Sequence, residues 1–328
     1  MIKKLILISV AFVLGLVVLA VAFLGLRGPT IATPSSIAVE MSPKNLERGK
    51  YLYENLMHCD GCHGQNDYTR FASPVLPGRS GAGQVFPKEM GLPGTIVASN
   101  ITPDSDTGLG RWTDGEKLRA VREGISKDGR PLFPMMPYTY YRKMTDDDAY
   151  ALVAYMNSLP AVRNGLPKTS IDFPVSLMIK GVPQPVVPVK DIDRRNTVKY
   201  GEYLVTLGGC VECHTPQVRG RLVADKHFSG GRMFNVGFAR VVSANITRND
   251  ESGIGRWTET QFIEKFAQYR GYAEKGSPKV SNDDFTLMAW VNYARLPDED
   301  LRAIYNYLRT QPAIYNAVDS HPDKPAKR

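Results

Sequence analysis

The pentapeptide Cys59-Asp60-Gly61-Cys62-His63 recurs as Cys210-Val211-Glu212-Cys213-His214, and the two copies use every cysteine of the 328-residue chain. C-x-x-C-H is the attachment signature of c-type haem. Two thiols three residues apart reach two carbons on one edge of a porphyrin, and the next residue sets an imidazole beneath the ring. At this chain's cysteine and histidine frequencies the pattern arises by chance roughly once in 1,000 sequences of its length. A thioredoxin-like pair or half a zinc site would also use C-x-x-C. Neither explains a histidine at the same place twice, and no further cysteine completes a zinc shell. Four cysteines also exclude a disulfide scaffold. The expected cofactor is two covalently bound haem c, attached through Cys59, Cys62, Cys210 and Cys213, with His63 and His214 as iron ligands.

The motif belongs to a longer duplication. Ala98-Ser-Asn-Ile-Thr102 returns as Ser243-Ala-Asn-Ile-Thr247, and Gly110-Arg-Trp-Thr113 as Gly255-Arg-Trp-Thr258. Met136–Pro160 matches Met288–Pro312 at a constant offset of 152, whereas the cysteine motifs are 151 apart and the other two segments 145. The changes of offset put extra residues in loops between His63 and Asn100 and between Thr258 and Met288. Thr113-x-x-Glu116 and Thr258-x-x-Gln261 are capping boxes that open helices. Ala149, Leu152, Val153, Met156 and Leu301, Ile304, Tyr305, Leu308 follow the helical period and stop before Pro160 and Pro312. Shorter helices are expected around residues 47–55 and 200–207, with Gly49 and Gly201 allowing close approach of another helix. The fold expected is all-α, two tandem domains after an N-terminal transmembrane helix. Residues 1–42 form an anchor and tether, 43–162 the first domain, 163–195 a proline-rich linker, 196–316 the second domain, and 317–328 a polar tail.

An iron held by one histidine needs a sixth ligand or keeps an open site, and this separates an electron carrier from an enzyme. His58 precedes its motif on the side away from the far haem face. His227 has no counterpart in the first repeat, and His321 lies in the tail. Of the adjacent pair Met135 and Met136, only Met136 has a methionine partner, Met288; Met135 aligns with Leu287. Met136 and Met288 follow their histidines by 73 and 74 residues. A lone methionine is ordinarily core packing, but a repeated one at matched distance is the candidate ligand. Methionine raises the potential and blocks the site to small molecules. Trp112, Trp257, Tyr141 and Tyr293 either line the haem pockets or belong to ordinary core. Arg111 and Arg256 are candidates for pairing with haem propionates, with a solvated arginine as the alternative.

After Lys3 and Lys4, residues Leu5–Leu26 run without a charge. At 1.5 Å per residue they span roughly 33 Å, enough for a bilayer core and long for a secretory signal. Ala20-Val21-Ala22 also offers a peptidase site, so a cleaved signal is the competing reading. The two lysines stay in the cytoplasm by the positive-inside rule, and the domains then face the periplasm. A net charge of +8 without a basic run gives no argument for nucleic acid.

The two C-x-x-C-H motifs, Asn100-Ile-Thr-Pro-Asp with Asn245-Ile-Thr, the paired Gly-Arg-Trp-Thr segments and Pro134-Met-Met-Pro-Tyr resemble the cytochrome c subunits of bacterial membrane-bound dehydrogenases, such as those of alcohol, aldehyde, gluconate and nicotinate. Those subunits usually carry three haem motifs, and this chain has two. The resemblance spans roughly residues 45–315. It implies a non-catalytic electron-transfer subunit on the cytoplasmic membrane. Its expected donor is a dehydrogenase subunit, and its expected acceptor a quinone, a small cytochrome or an oxidase. Three alternatives stay open: a dihaem peroxidase, an oxidase of sulfur compounds with a cysteine ligand, and an assembly or sensor subunit whose haem is structural. The matched methionines argue against the first, and the lack of a spare cysteine against the second.

Overall fold

A computed structural model of the chain describes residues 2–26 and 28–324; Met1, Arg27 and residues 325–328, the end of the expected polar tail, lie outside them. Helices α1 (Ile2–Leu26), α2 (Pro43–Lys50), α3 (Asp60–His63), α4 (Asp114–Glu123), α5 (Tyr138–Tyr141), α6 (Asp146–Ser158), α7 (Val175–Met178), α8 (Thr197–Leu207), α9 (Cys210–Cys213), α10 (Glu259–Ala267), α11 (Arg270–Lys275), α12 (Trp290–Tyr293) and α13 (Asp298–Thr310) carry the fold. Strands are confined to four antiparallel pairs of two or three residues in the loops: Gln84–Val85 with Val97–Ala98, Gly94–Thr95 with Ser170–Ile171, Gln217–Val218 with Arg221–Leu222, and Met233–Asn235 with Arg240–Val242.

The two repeats use the same elements in the same order. α2, α3, α4, α5 and α6 correspond to α8, α9, α10, α12 and α13, and α11 is an addition to the second. Both expected capping boxes form, at Thr113 with Glu116 and at Thr258 with Gln261. Gly49 and Gly201 do what their position suggests. A Cβ on Gly49 would lie 2.0 Å from the Ala151 carbonyl oxygen, and one on Gly201 would lie 1.9 Å from that of Ala303. So α2 crosses α6, and α8 crosses α13, at backbone contact. The offset of 152 there shortens to 151 at the cysteines because the first repeat carries a π-turn at Tyr51–Leu56, closed by an i→i+5 bond from Met57 N to the Leu52 carbonyl at 2.8 Å. The second repeat runs regular helix to Leu207.

Buried side chains of both repeats join in one apolar cluster that includes Leu52, Leu152, Leu204 and Leu301. The contact between repeats has an approximate two-fold character. Tyr203 Oη donates to Asp148 Oδ2 at 2.6 Å, and its equivalent Tyr51 donates to Asp300, the equivalent of Asp148. The inserted loops meet as well: Phe71 stacks on Tyr269 with ring centroids 4.9 Å apart, and Arg70 Nη1 donates to the Ser277 carbonyl at 2.6 Å.

Residues 28–42 are not a free tether. Val39 N donates to Asp114 Oδ2 at 2.9 Å, and Ile37 and Val39 pack against the core. Alternate residues of an extended strand share a face, and the proline- and serine-rich composition masks this pair. Residues 160–169 run over the first repeat without helix, with Val162 N on Thr102 Oγ1 at 3.1 Å and Asn164 N on Thr107 Oγ1 at 2.9 Å, and α7 then interrupts the proline-rich stretch expected as linker over 163–195. α1 is exposed and, after Lys3 and Lys4, carries no charge, and its Gly25 carbonyl accepts from Lys180 Nζ at 2.7 Å.

Gly49→Ala and Gly201→Ala should each force a helix pair apart. Overpacking of this kind costs about 1–3 kcal/mol. Calorimetry should show a lower melting temperature for both variants, of similar size because the contacts are equivalent.

Candidate haem-attachment sites

The helical period places residues i, i+3 and i+4 on one face. α3 and α9 are single helical turns that use this rule, closed by His63 N to the Cys59 carbonyl at 2.8 Å and His214 N to the Cys210 carbonyl at 2.9 Å. Two thiols and an imidazole therefore point the same way in each repeat. All four cysteines are free. The donor set matches haem c in kind: two thiols for thioether bonds and one neutral nitrogen for iron.

What sets the ring angle is a bond that the sequence does not announce. His63 Nδ1 lies 2.8 Å from the Ser99 carbonyl, and His214 Nδ1 lies 2.7 Å from the carbonyl of Ala244, the equivalent residue. With Nδ1–H donating there, Nε2 keeps its lone pair for a metal. Nε2 of neither ring makes a hydrogen bond among the described residues. Burial draws both imidazoles below their ordinary pKa, which favours the neutral form a ligand requires.

The repeated Asn-Ile-Thr holds those carbonyls still. Asn100 Oδ1 accepts from Thr102 N at 3.0 Å and Thr102 Oγ1 at 2.8 Å, while its Nδ2 donates to the Val162 carbonyl at 2.7 Å. Asn245 repeats all three with Thr247 and the Ile314 carbonyl, at 2.9, 2.7 and 2.8 Å. Two glycines with positive φ, Gly83 (+80°) and Gly230 (+71°), donate N–H to the carbonyls of His63 and His214 at 2.6 and 2.7 Å. Side chains rarely adopt that conformation, which glycine reaches freely. The Asn-Ile-Thr motif is visible in the sequence; its task is visible only once Ser99 and Ala244 lie against the histidines.

Met136 and Met288 are half-buried against the core, each just ahead of its one-turn helix. Their carbonyls accept from Tyr138 N and Trp290 N, both at 2.8 Å. The tyrosines of those helices tie them to the cysteines. Burial raises the Tyr141 hydroxyl well above its ordinary pKa, and the nearby Cys59 and Cys62 thiols add to this; Cys210 and Cys213 do the same for Tyr293. Tyr293 Oη also donates to the Gly208 carbonyl at 3.1 Å. In each repeat, then, the turn that follows the methionine packs against the turn that bears the thiols. The remaining histidines take other places. His58 packs on Gly61, where a Cβ would meet its Cε1 at 2.9 Å, and burial lowers it to about 4. His227 is exposed, and His321 Nε2 lies 3.1 Å from the Phe285 carbonyl. Arg111 is exposed and pairs with Asp106 at 3.1 Å, in keeping with the solvated alternative.

The two sites are neighbours. Burial pushes the Cys62 thiol up to about 11, with the Cys213 thiol of the other repeat close enough to contribute. Tyr140 Oη donates to Glu212 Oε1, between the second pair of cysteines, at 2.8 Å. The contact between them is buried. Tyr203 Oη reaches across to Asp148 Oδ2 at 2.6 Å, and Arg48, from the same repeat as Asp148, donates Nε and Nη2 to Asp148 Oδ1 and Oδ2 at 2.7 and 2.8 Å.

Residues 46–160 match the cytochrome c family. The chain is 30% identical over 290 residues to the cytochrome c subunit of a quinone-dependent alcohol dehydrogenase from Gluconobacter oxydans (strain 621H), covering 82% of this chain and 55% of that subunit. It is 31% identical over 299 residues to a fructose dehydrogenase cytochrome subunit from Gluconobacter japonicus, covering 87% of this chain and 55% of that one. A diheme cytochrome c-type protein of Cereibacter sphaeroides is 29% identical over 267 residues, 78% of this chain and 82% of its own. The chain thus spans little more than half the length of the two dehydrogenase subunits.

Asp148→Asn should weaken both the first repeat and its contact with the second. Burial raises the Asp148 carboxyl, but the Arg48 guanidinium and Tyr203 hydroxyl outweigh it and hold the group below its ordinary 3.8. A depressed carboxylate stabilises the fold above its unfolded pKa and loses that contribution as pH falls through its folded value. Breaking a buried pair costs about 3–5 kcal/mol. The variant should melt well below wild type at pH 7, and the difference should close only below pH 3.8.

Proposed function

We propose that this chain, which carries a cytochrome c domain at residues 46–160, is a membrane-anchored dihaem cytochrome c that takes single electrons from a periplasmic or membrane dehydrogenase and passes them to the respiratory chain. A cytochrome c domain binds haem c covalently, and electron transfer is the chemistry of the cytochrome subunits to which the chain is similar. The proposal includes the number two, the second domain over residues 196–316, the ligands and the anchor. The observation that carries it is the repetition of the whole donor set: free thiols at Cys59, Cys62, Cys210 and Cys213, and His63 and His214 each held through Nδ1 on equivalent carbonyls. The diheme relative of matching length supports the count.

Haem c, when bound, would supply one-electron redox chemistry, and the protein would supply orientation, potential and a dry surrounding. Cys59, Cys62, Cys210 and Cys213 would hold the ring edge. His63 and His214 would bind iron through Nε2, with the Ser99 and Ala244 carbonyls setting their angle. Met136 and Met288 would be the further ligands and would exclude small molecules. α1 supports the anchor, being the one helix among the described residues long and apolar enough to cross a membrane, with Ile2–Phe23 as the candidate span. Lys3 and Lys4 orient it with the domains in the periplasm. The dehydrogenase partner is supported by relatives whose names are those of dehydrogenase cytochrome subunits.

Denatured protein should retain its haem and give a c-type pyridine haemochrome with two irons per chain, falling to one in a Cys210→Ala, Cys213→Ala variant. Met136→His should keep the haem, lose the sulfur-to-iron band at the red edge of the oxidised spectrum and lower one potential, because thioether favours the ferrous state. Rapid carbon monoxide binding or peroxide turnover at enzymatic rates would favour the dihaem peroxidase instead. The chain should stay with membranes through a high-salt wash, and an amino terminus near Phe23 in the mature protein would show a cleaved signal.

A further inference from the structure

The repeats are copies, so a chemical difference between them at matched positions separates the two sites in property. One such difference stands inside the cysteine motif. Asp60 opens α3, one turn before His63, and is 8% exposed. Three donors surround its carboxylate: Tyr53 Oη at 2.9 Å and Gly81 N at 2.8 Å on Oδ1, and Ser80 Oγ at 2.8 Å on Oδ2. No lysine or arginine lies within salt-bridge distance of it among the described residues. In the second repeat Val211 takes this position. Phe228 stands where Gly81 does, since each receives the N–H of the Asn-Ile-Thr isoleucine, and the preceding helix supplies Leu204 and Val205 in the place of Tyr53. These four are apolar, and Leu204, Val205 and Phe228 are buried, while the exposed His227 stands in the place of Ser80.

The second motif does hold an acid, Glu212, but it is paired. Arg232 Nη1 approaches Glu212 Oε2 at 3.4 Å. On the methionine side, Lys265 Nζ lies 5.3 Å from the ring of Trp290, two residues after Met288. The first site therefore has a buried carboxylate without a basic partner beside its histidine, and the second has apolar residues in the places of Asp60, Tyr53 and Gly81, a neutralised acid and a nearby cation.

We propose that Asp60 holds the first haem at a lower potential than the second, so that electrons enter at residues 43–162 and leave from residues 196–316. This rests on the dihaem reading above. Oxidation of a haem iron adds one positive charge, and a nearby buried anion stabilises the more positive state. Burial outweighs the bonds from Ser80, Gly81 and Tyr53 and holds the Asp60 carboxyl above its ordinary pKa, while those three donors favour the ionised form, which is why the test is run at pH 8. The step moves one electron: the first iron is oxidised by one, the second is reduced by one, and no bond or proton changes. The dehydrogenase supplies the electron. The proximity of Tyr140 to Glu212 and of the Cys62 and Cys213 thiols provides the short path.

The test is potentiometric titration of the full chain in detergent at pH 8, followed optically, with a pyridine haemochrome on each sample. Wild type should give two waves. Asp60→Asn should raise the lower wave and leave the upper one in place, narrowing the gap, and Asp60→Glu should restore it. A merely structural role would not separate the two substitutions in this way. Met136→His should displace the lower wave and Met288→His the upper one, which tests the order without touching Asp60. If Asp60→Asn moves neither wave or only the upper, or if Met136→His displaces the upper wave, the assignment is wrong. A haemochrome of one iron in wild type would instead remove the dihaem reading itself.

Discussion

Each motif histidine has to hold its ring at one angle, and one bond does this, from Nδ1 to a backbone carbonyl at 2.8 Å in the first repeat and 2.7 Å in the second. That carbonyl belongs to a loop, and a loop positions an atom only if its own backbone is pinned. Asn100 and Asn245 do the pinning: each accepts twice from the threonine two residues on and donates to a carbonyl, of Val162 or Ile314, beyond the last helix of its repeat. The chain after the terminal helix is thereby drawn back across the site. Gly83 and Gly230 tie the other side of the histidine. Much of the irregular chain in each repeat is thus arranged to keep one imidazole steady.

Packing between repeats serves the same end at a larger scale. Tyr51 with Asp300 and Tyr203 with Asp148 are the same contact made twice across an approximate two-fold axis. Such an isologous contact is how two copies of one chain usually meet. Here both copies lie in a single polypeptide, so the contact does not depend on concentration. Arg48, with its ring contact to Tyr51 at 4.6 Å, breaks the symmetry, because Tyr200 stands at its equivalent position. Buried charge of this kind stabilises only when its partners are complete, and Asp148 has both Arg48 and Tyr203.

Divergence between the repeats is concentrated where function can use it. Helix crossings at Gly49 and Gly201, capping boxes and carbonyl anchors are shared. The motif interior, the residue after each methionine and the inserted loops are not. The segments at residues 64–100 and 268–287 interlock through Phe71, Tyr269 and Arg70, so the length differences that break the repeat in sequence form a second contact between its halves.

The sequence by itself carried the two C-x-x-C-H motifs and the duplication. C-x-x-C-H is a local pattern, and helix periodicity, capping boxes and the glycines at 49 and 201 act within a few residues or within one helix pair. Those signals survive without tertiary context, as the observed α4, α6, α10 and α13 show. Three things were decided only by the folded chain. The Ser99 and Ala244 carbonyls carry no side-chain signal, since any residue supplies a carbonyl. The packing of residues 28–42 depends on Ile37 and Val39 finding a surface that lies far along the sequence. The environment of Asp60 depends on Ser80 and Gly81, twenty residues away through irregular loop. In all three, the deciding partner is distant in sequence and polar or main-chain in character, and periodicity holds no record of such partners.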